Sequence, residues 1–455
     1  MKVMTTNPAP VDRAHEAHAT FPGTSEALRL VARTIAIAAR GESPSALIDL
    51  LPRTAPLAWV RRGEGIVGWG EVARFESTGA DRFDRAIDSW NQVREHAIIR
   101  DEVGLPGTGP VAFGTFGFSE ATSRPSVLIV PRVVVGRRGD TWWLTTITTS
   151  DEPFASQPDL DDVVAGLEPV TSPGHVDYAP GSCSPGQWMD VVAHGIDLIK
   201  AGELDKIVLA RDEIGTAAQP IDVRHLLGNL ARSYENCWTF AVDTMVGATP
   251  ELLVRTERGL VTSRVLAGTI QRTGDDETDT ARAAVLAHSS KDLEEHEYAV
   301  RSVADALRPY CSSLNVPEAP FVLHLPNVLH LASDVAAVVD AAAGATSLSL
   351  AKALHPTAAV CGTPTREAAQ AILTLEGMDR SRYAGPVGWL GADGDGEWGI
   401  GLRSAELMAS DPHSIRLFAG CGIVAASDPA AEYAETLAKL RPMHTALADN
   451  AHSAG

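Results

Sequence analysis

Pairs of apolar runs folded back on glycine-containing turns constrain this chain most. One covers residues 57–75 around Arg62-Gly63-Glu64-Gly65, and another covers 127–148 around Gly136-Arg137-Arg138-Gly139-Asp140. A short polar turn between two such runs joins antiparallel strands, because parallel strands need a crossover of a dozen residues or more. A third hairpin is expected over 252–266, turning at Glu257-Arg258-Gly259. Single strands are predicted at 111–118, 206–211, 238–243, 387–390, 398–407 and 415–419. Apolar spacing near 3.6 residues predicts helices over 25–40 (with Ser25 as N-cap), 81–99, 187–201, 223–234, 279–310, 348–354, 366–376 and 430–440. Strands and helices follow one another without a strict βαβ alternation. The fold class is therefore α+β with antiparallel sheets.

Residues 1–24 mix Pro, Asp, Arg and His and read as a flexible tail without a signal peptide. Residues 25–150 form the N-terminal half of the fold. Residues 151–186, rich in Asp, Pro, Ser and Gly, form a connector, and 187–445 form the second, catalytic region. A net charge of −20 argues against nucleic acid as a partner, since phosphate binding requires a basic face. The five cysteines, at 183, 237, 311, 361 and 421, are scattered without a Cys-x-x-Cys spacing. That pattern points to a reducing cytoplasm rather than a disulfide framework or zinc site. The longest apolar stretch, 126–135, is interrupted by Pro131 and Arg132, so no membrane span is expected.

Several residue patterns can carry chemistry. Asp292 and Glu295 are three apart, as are Glu432 and Glu435, so each pair shares a helix face. Spacing alone favours two solvated faces; the chemical alternative is a hard divalent cation between them, for which magnesium with its oxygen ligands is suited. Lys206 opens the apolar run Lys206-Ile207-Val208-Leu209-Ala210-Arg211. It reads either as a lysine snorkelling from a strand end or as a general base in a low-dielectric site. Glu251, in Thr249-Pro250-Glu251, is either a dipole-compensating residue at a helix or turn start or a buried general acid. Arg403 in an apolar strand is equally a structural ion-pair partner or a bidentate carboxylate clamp. Gly420-Cys421-Gly422 directly after a strand is either a turn or an anion cradle made of backbone N–H groups. His355, His330 and Cys361 read as structural.

Taken together and in order, these segments resemble the chorismate-utilising enzymes. They are Lys206–Arg211, Gly247-Ala248-Thr249-Pro250-Glu251, Lys291-Asp292-Leu293-Glu294-Glu295-His296, His355-Pro356-Thr357, Gly420-Cys421-Gly422 and Glu432-Tyr433-Ala434-Glu435-Thr436. The resemblance spans residues 206–436 and is diffuse before them. It implies a shared α+β fold of stacked antiparallel sheets flanked by helices, magnesium dependence and chorismate as substrate. Lysine rather than glutamine at position 206 is the form found in members that use water instead of ammonia. Ala267, within Val265-Leu266-Ala267-Gly268-Thr269, replaces the lysine typical of aminodeoxychorismate synthases. The segment from His355 to Gly362 is closer to isochorismate synthases than to salicylate synthases, although Ala358 stands where proline is common and Cys421 where alanine is common.

The resemblance therefore implies an isomerase, isochorismate synthase, that adds water at C2 of chorismate and loses the C4 hydroxyl. Lys206 is expected as the base and Glu251 as the acid. Glu295 and Glu435 are expected to hold magnesium directly, and Asp292 and Glu432 through its waters. Arg403, Gly420, Gly422, Thr269, His355 and Lys439 are expected to line the substrate pocket. A monomer without an amidotransferase subunit is expected. Salicylate synthase remains an alternative, as do, more distantly, an anthranilate synthase component and a non-catalytic chorismate-binding regulator.

Overall fold

A computed structural model describes residues 28–43, 45–152, 158–326 and 328–448; the side chains of residues 291, 295 and 341 are outside that description. The tail over 1–24 and the expected cap Ser25 also lie outside the described residues. The first half runs β1 (Leu30–Ile37), β2 (Leu57–Arg61), β3 (Glu64–Ser77), α1 (Arg82–Glu95) and β4 (Ile98–Asp101). It continues with β5 (Val111–Thr115), β6 (Ser126–Arg138) and β7 (Thr141–Thr149). The 151–186 segment carries a short helix, α2 (Leu160–Ala165), and a strand, β8 (Val176–Pro180).

The second half begins with α3 (Pro185–Lys200), β9 (Lys206–Ala217), α4 (Val223–Ser233), β10 (Trp238–Val242) and β11 (Met245–Thr249). Next come β12 (Leu252–Glu257), β13 (Leu260–Gln271), α5 (Asp276–His288), α6 (Ser290–Leu307), β14 (Cys311–Asn315), β15 (Phe321–His324) and β16 (Val328–Val339). The chain ends through α7 (Ser347–Leu354), β17 (Gly362–Thr363), α8 (Thr365–Leu375), β18 (Pro386–Gly391), β19 (Gly396–Ile400), β20 (Ser404–Leu407), β21 (Ser414–Ile423) and α9 (Pro429–Leu447).

The long strand β6 is the branch point of the sheet. Along one edge it pairs with β3, and pairing then passes through β2, β10, β11, β20 and β21 to β9. Its other edge meets β5 near Val127–Ile129 and β7 near Val133–Arg138. From β5 the ladder continues through β18, β19, β12 and β13 to β16. These ladders are antiparallel, and the pairing of β1 with β4 is parallel. The two branches stack, with Trp59, Phe113, Phe116, Phe240 and Trp398 buried in one core cluster. Elements from both halves pair directly, β2 with β10 and β5 with β18. The architecture is α+β, with stacked antiparallel sheets flanked by helices. Among the described residues no helix is long and apolar enough to cross a membrane.

The hairpins over 57–75, 127–148 and 252–266 form as expected. The helix expected over 25–40 does not: Leu30–Ile37 is a strand paired with β7 along its whole length. Leu30, Ala32 and Thr34 are buried in alternation, and the β-branched Val31, Thr34, Ile35 and Ile37 suit a pleated surface better than a helix. The helix expected over 279–310 is two helices. Ser289 ends α5 in an extended conformation, and its side chain caps α6 by accepting from the Asp292 N–H. The strand expected over 398–407 is interrupted between Ile400 and Ser404, where Arg403 has φ +47°. Arg403 is therefore not a strand residue. Its left-handed backbone costs on the order of 1–3 kcal/mol, as such conformations do at functional sites.

Candidate active site

The edge of β9 brings the chemistry together. Val208 N–H donates to the Cys361 carbonyl at 2.8 Å, and Ala210 N–H donates to Glu376 Oε1 at 2.7 Å. Both residues therefore turn their backbone groups away from β21. Antiparallel partners alternate together, so Gly422 and Gly420, opposite Val208 and Ala210, also turn theirs away from β9. The Gly-Cys-Gly segment is thus inside β21, not in a turn after a strand as the sequence suggested. Among the described residues β20 pairs no further along β21 than Leu417, so the Gly420 and Gly422 N–H groups turn towards an edge that this strand does not cover. The Gly420 carbonyl accepts from Lys439 Nζ at 2.9 Å.

Beside this edge lies a cavity of about 180 Å³. Lys206, Glu251, Thr269, Asp292, Arg403, Gly420, Gly422, Glu432, Glu435 and Lys439 all line it. Residues from seven separate stretches thus meet at one place. The side chain of Glu295 lies outside the described residues. His355 does not line the cavity. It follows α7, donates from Nε2–H to the Phe118 carbonyl at 2.9 Å and packs against the rings of Phe83 and Phe118. Burial drives its imidazole pKa down to about 3, as expected of a neutral packing residue.

Glu251 sits in the two-residue link between β11 and β12, not at a helix start. Its carbonyl accepts from Ile400 N–H at 3.1 Å, which ties the link to β19. The side chain is buried, and burial raises its carboxyl pKa to about 8, although Arg403 and Lys206 pull in the opposite direction. This glutamate keeps its proton near neutrality and can donate it.

The acidic wall comes from two helix starts. Asp428 caps α9 and Pro429 occupies its first turn, which sets Glu432 and Glu435 one turn apart on the cavity side. Burial, reinforced by neighbouring Glu435, raises the pKa of Glu432. Burial would raise Glu435 too, but Lys439, with Nζ 2.6 Å from Oε1, holds it below the usual carboxylate range. Asp292 approaches from α6 against Gly268, whose φ is +80°. A side chain at Gly268 would meet Asp292 Cβ at 3.2 Å, so glycine lets α6 and β13 close together. Among the described residues no three His, Cys, Asp or Glu side chains are clustered tightly enough to form a complete metal site. Asp292, Glu432 and Glu435 nevertheless bring three carboxylates, hard oxygen donors of the kind magnesium takes, to one cavity wall.

Three wall residues were not anticipated. His330 was read as structural, yet its Nδ1 meets Thr269 Oγ1 at 2.9 Å and its buried Nε2 has no hydrogen-bond partner. Burial, with Arg403 and Lys439 nearby, lowers its pKa to about 3. Tyr383 is buried in the wall, stacked on Phe418, and its phenol pKa is raised by burial to about 12. Arg380 also lines the cavity, ion-paired with Glu376 and donating to the Val208 carbonyl at 2.7 Å. No spacing rule marks these positions, because strand partners and a loop bring them in.

The family model described as "Chorismate binding enzyme" matches residues 57–448. The chain belongs to the chorismate-binding enzymes. Within this family it is 41% identical over 285 residues to the isochorismate synthase DhbC of Bacillus subtilis, covering 60% of this chain and 71% of that protein. It is 30% identical over 409 residues to the isochorismate synthase MenF of Bacillus subtilis, covering 84% and 85% of the two chains. The structure of MenF from Escherichia coli, a menaquinone-specific isochorismate synthase, superposes with a TM-score of 0.75 at 25% identity. That superposition covers 93% of this chain and 97% of MenF. The anthranilate synthase component I of Streptococcus pneumoniae shares the fold, with a TM-score of 0.66 at 21% identity. The stacked sheets and the β9–β21 cavity edge are thus the scaffold of a chorismate-binding enzyme.

Proposed function

We propose that this chorismate-binding enzyme is an isomerase, an isochorismate synthase, that moves a hydroxyl group around the chorismate ring by adding water at C2 and releasing the C4 hydroxyl. The observation that carries this reading is the presence of Lys206 and a proton-retaining Glu251 in the wall of one cavity. Lys206 takes a proton from the attacking water as its oxygen bonds to C2. The ring double bonds shift, the C4–O bond breaks, and Glu251 gives its proton to the departing oxygen, which leaves as water. One water enters and one leaves, and Lys206 and Glu251 then return to their starting protonation states by net transfer of one proton. A general acid and a general base each contribute about 10²–10⁴ in rate.

Arg403, Lys439 and the Gly420 and Gly422 N–H groups supply the positive side of the cavity and orient the substrate's carboxylates. Asp292, Glu432 and Glu435, with Glu295, are the residues that would hold magnesium. Bound there, the cation would neutralise carboxylate charge and polarise the substrate. The enzyme acts as a cytoplasmic monomer without an amidotransferase subunit, since water needs no ammonia supply. The relatives include both menaquinone-specific and vibriobactin-specific isochorismate synthases, and the same chemistry serves either route.

Incubation of purified protein with chorismate, with and without magnesium, followed by chromatography of the products, tests the reading. Isochorismate formed only with magnesium supports it. Salicylate with pyruvate assigns the site to the lyase reaction, and tight chorismate binding without turnover identifies a regulator.

A further inference from the structure

Besides the main cavity, Glu251 lines a much smaller one of about 10 Å³. Glu251 and Ala359 line both. The remaining wall is mostly apolar, with Leu252, Val265, Val303 and Ile400, and two hydroxyl residues, Thr357 and Ser263. Thr357 is more than nine-tenths buried, and its Oγ1 has no hydrogen-bond partner. Its carbonyl is already used, accepting from Val360 and Cys361 N–H at 3.2 and 3.0 Å. An unpartnered buried hydroxyl costs about 1–3 kcal/mol. A volume of roughly 10–15 Å³ is the least that holds one water, and such a water needs two or more polar neighbours.

We propose that a single water molecule occupies this cavity and joins the Thr357 hydroxyl to the Glu251 carboxyl, making Thr357 a positioning residue for the general acid. The water accepts from the Thr357 hydroxyl and donates to the Glu251 oxygen left bare when the acid gives up its proton. It thereby stabilises the carboxylate from the small cavity while the other oxygen faces substrate. The position of Thr357 directly after His355-Pro356 gives that segment a role at the site which His355 itself does not have. The proposal rests on the reading of Glu251 as the general acid.

The charged groups around Glu251 are otherwise accounted for. Arg403, Lys206 and Lys439 act on it from the main cavity, whose wall also holds Asp292, His330, Arg380, Glu432 and Glu435. Arg264, in the wall of the small cavity, is held by Asp334 at 2.7 Å. Loss of a donor to the ionised form raises an acid's pKa. Thr357→Val should therefore lower kcat about tenfold, leave KM for chorismate unchanged, and move the alkaline limb of the kcat profile to higher pH. Thr357→Ser should restore both values. A purely structural threonine would lower the melting temperature without moving the limb.

A high-resolution crystal structure of the wild-type protein supplies an independent arm. Density for a water within hydrogen-bond distance of Thr357 Oγ1 and a Glu251 oxygen is expected, and loss of that density is expected in Thr357→Val. A dry wild-type cavity overturns the proposal, as does an unmoved alkaline limb once the water is gone. If Thr357→Val fails to fold, Thr357→Ala and the wild-type density decide the matter. Glu251→Gln with undiminished turnover would sink the general-acid reading alone, leaving the density to judge the water.

Discussion

Lys439 Nζ lies 2.6 Å from Glu435 Oε1, one turn earlier on α9, and 2.9 Å from the Gly420 carbonyl of β21. One ammonium thus ties the acidic helix face to the open strand edge. Lys439 is hydrogen-bonded to Glu435, which Arg403 and Lys206 also favour in its ionised form. The weaker pull of Lys439 on Glu432 does not offset burial and the neighbouring Glu435 charge, so the two carboxylates shift in opposite directions. Replacing Lys439 with methionine keeps the side chain's length and removes the charge. KM for chorismate should rise about tenfold, the equivalent of one charge-assisted hydrogen bond. Magnesium binding measured by calorimetry should persist, since the carboxylates become more available. Unchanged KM would show that Lys439 serves only α9.

Removal of the Lys206 side chain should abolish water addition. For Lys206→Ala, kcat is expected to fall by at least 10², with magnesium binding retained by calorimetry. Near-normal turnover would refute the base assignment. The acid gives a complementary signature. Glu251→Gln should be similarly inactive, and wild-type kcat should decline as pH rises through about 8.

Stability gives the sign of the same shift. The folded pKa of Glu251 lies above its unfolded value, so the folded state holds the extra proton. Its burial costs nothing at low pH and becomes destabilising as pH rises from about 4.5 towards 8. Glu251→Gln should therefore raise the melting temperature at pH 9 more than at pH 5. Equal effects at both pH values would contradict a raised pKa.

His330 should act without titrating. With its pKa near 3, it stays neutral across the working range, and kcat/KM should show no inflection near 6.5 that His330→Gln removes. The variant should lose about tenfold in kcat/KM, because Thr269 loses its partner and substrate loses a wall. An acid limb near 6.5 abolished by the substitution would assign the residue a charged role.

His355 offers the opposite expectation. His355→Leu removes the hydrogen bond to Phe118 and disturbs its packing with Phe83. It should cost about 1–3 kcal/mol of stability in chemical denaturation, while kcat at 25 °C stays within twofold. Because both buried histidines have depressed pKa values, folding stability should fall as pH drops from 6.5 towards 3. A large loss of kcat in folded His355→Leu would return the residue to the pocket.

The hairpins at 57–75, 127–148 and 252–266 were legible because alternation and turn residues act within a few positions. The first described strand was not: the apolar residues from Leu28 to Ile37 satisfy a helical stripe as well as a strand, and only pairing with β7 selects one. Ser289 hides in the same way inside an otherwise continuous helical pattern. Of the residues expected at the site, Lys206, Glu251, Asp292, Thr269, Arg403, Gly420, Gly422, Glu432, Glu435 and Lys439 do meet at one cavity. Their order along the chain resembled that of a family whose fold brings them together, and no local spacing could have shown it.

The sequence by itself determined the residue types, the antiparallel hairpins and the kinship to chorismate-binding enzymes, because these depend on identity and short-range periodicity. Only the tertiary structure decided which groups are neutral. Glu251 retains its proton, Glu435 does not, and His330 faces the cavity while His355 is sealed behind Phe118. Each outcome depends on desolvation and on charges contributed by segments far apart in sequence, and both are properties of packed space rather than of neighbours along the chain.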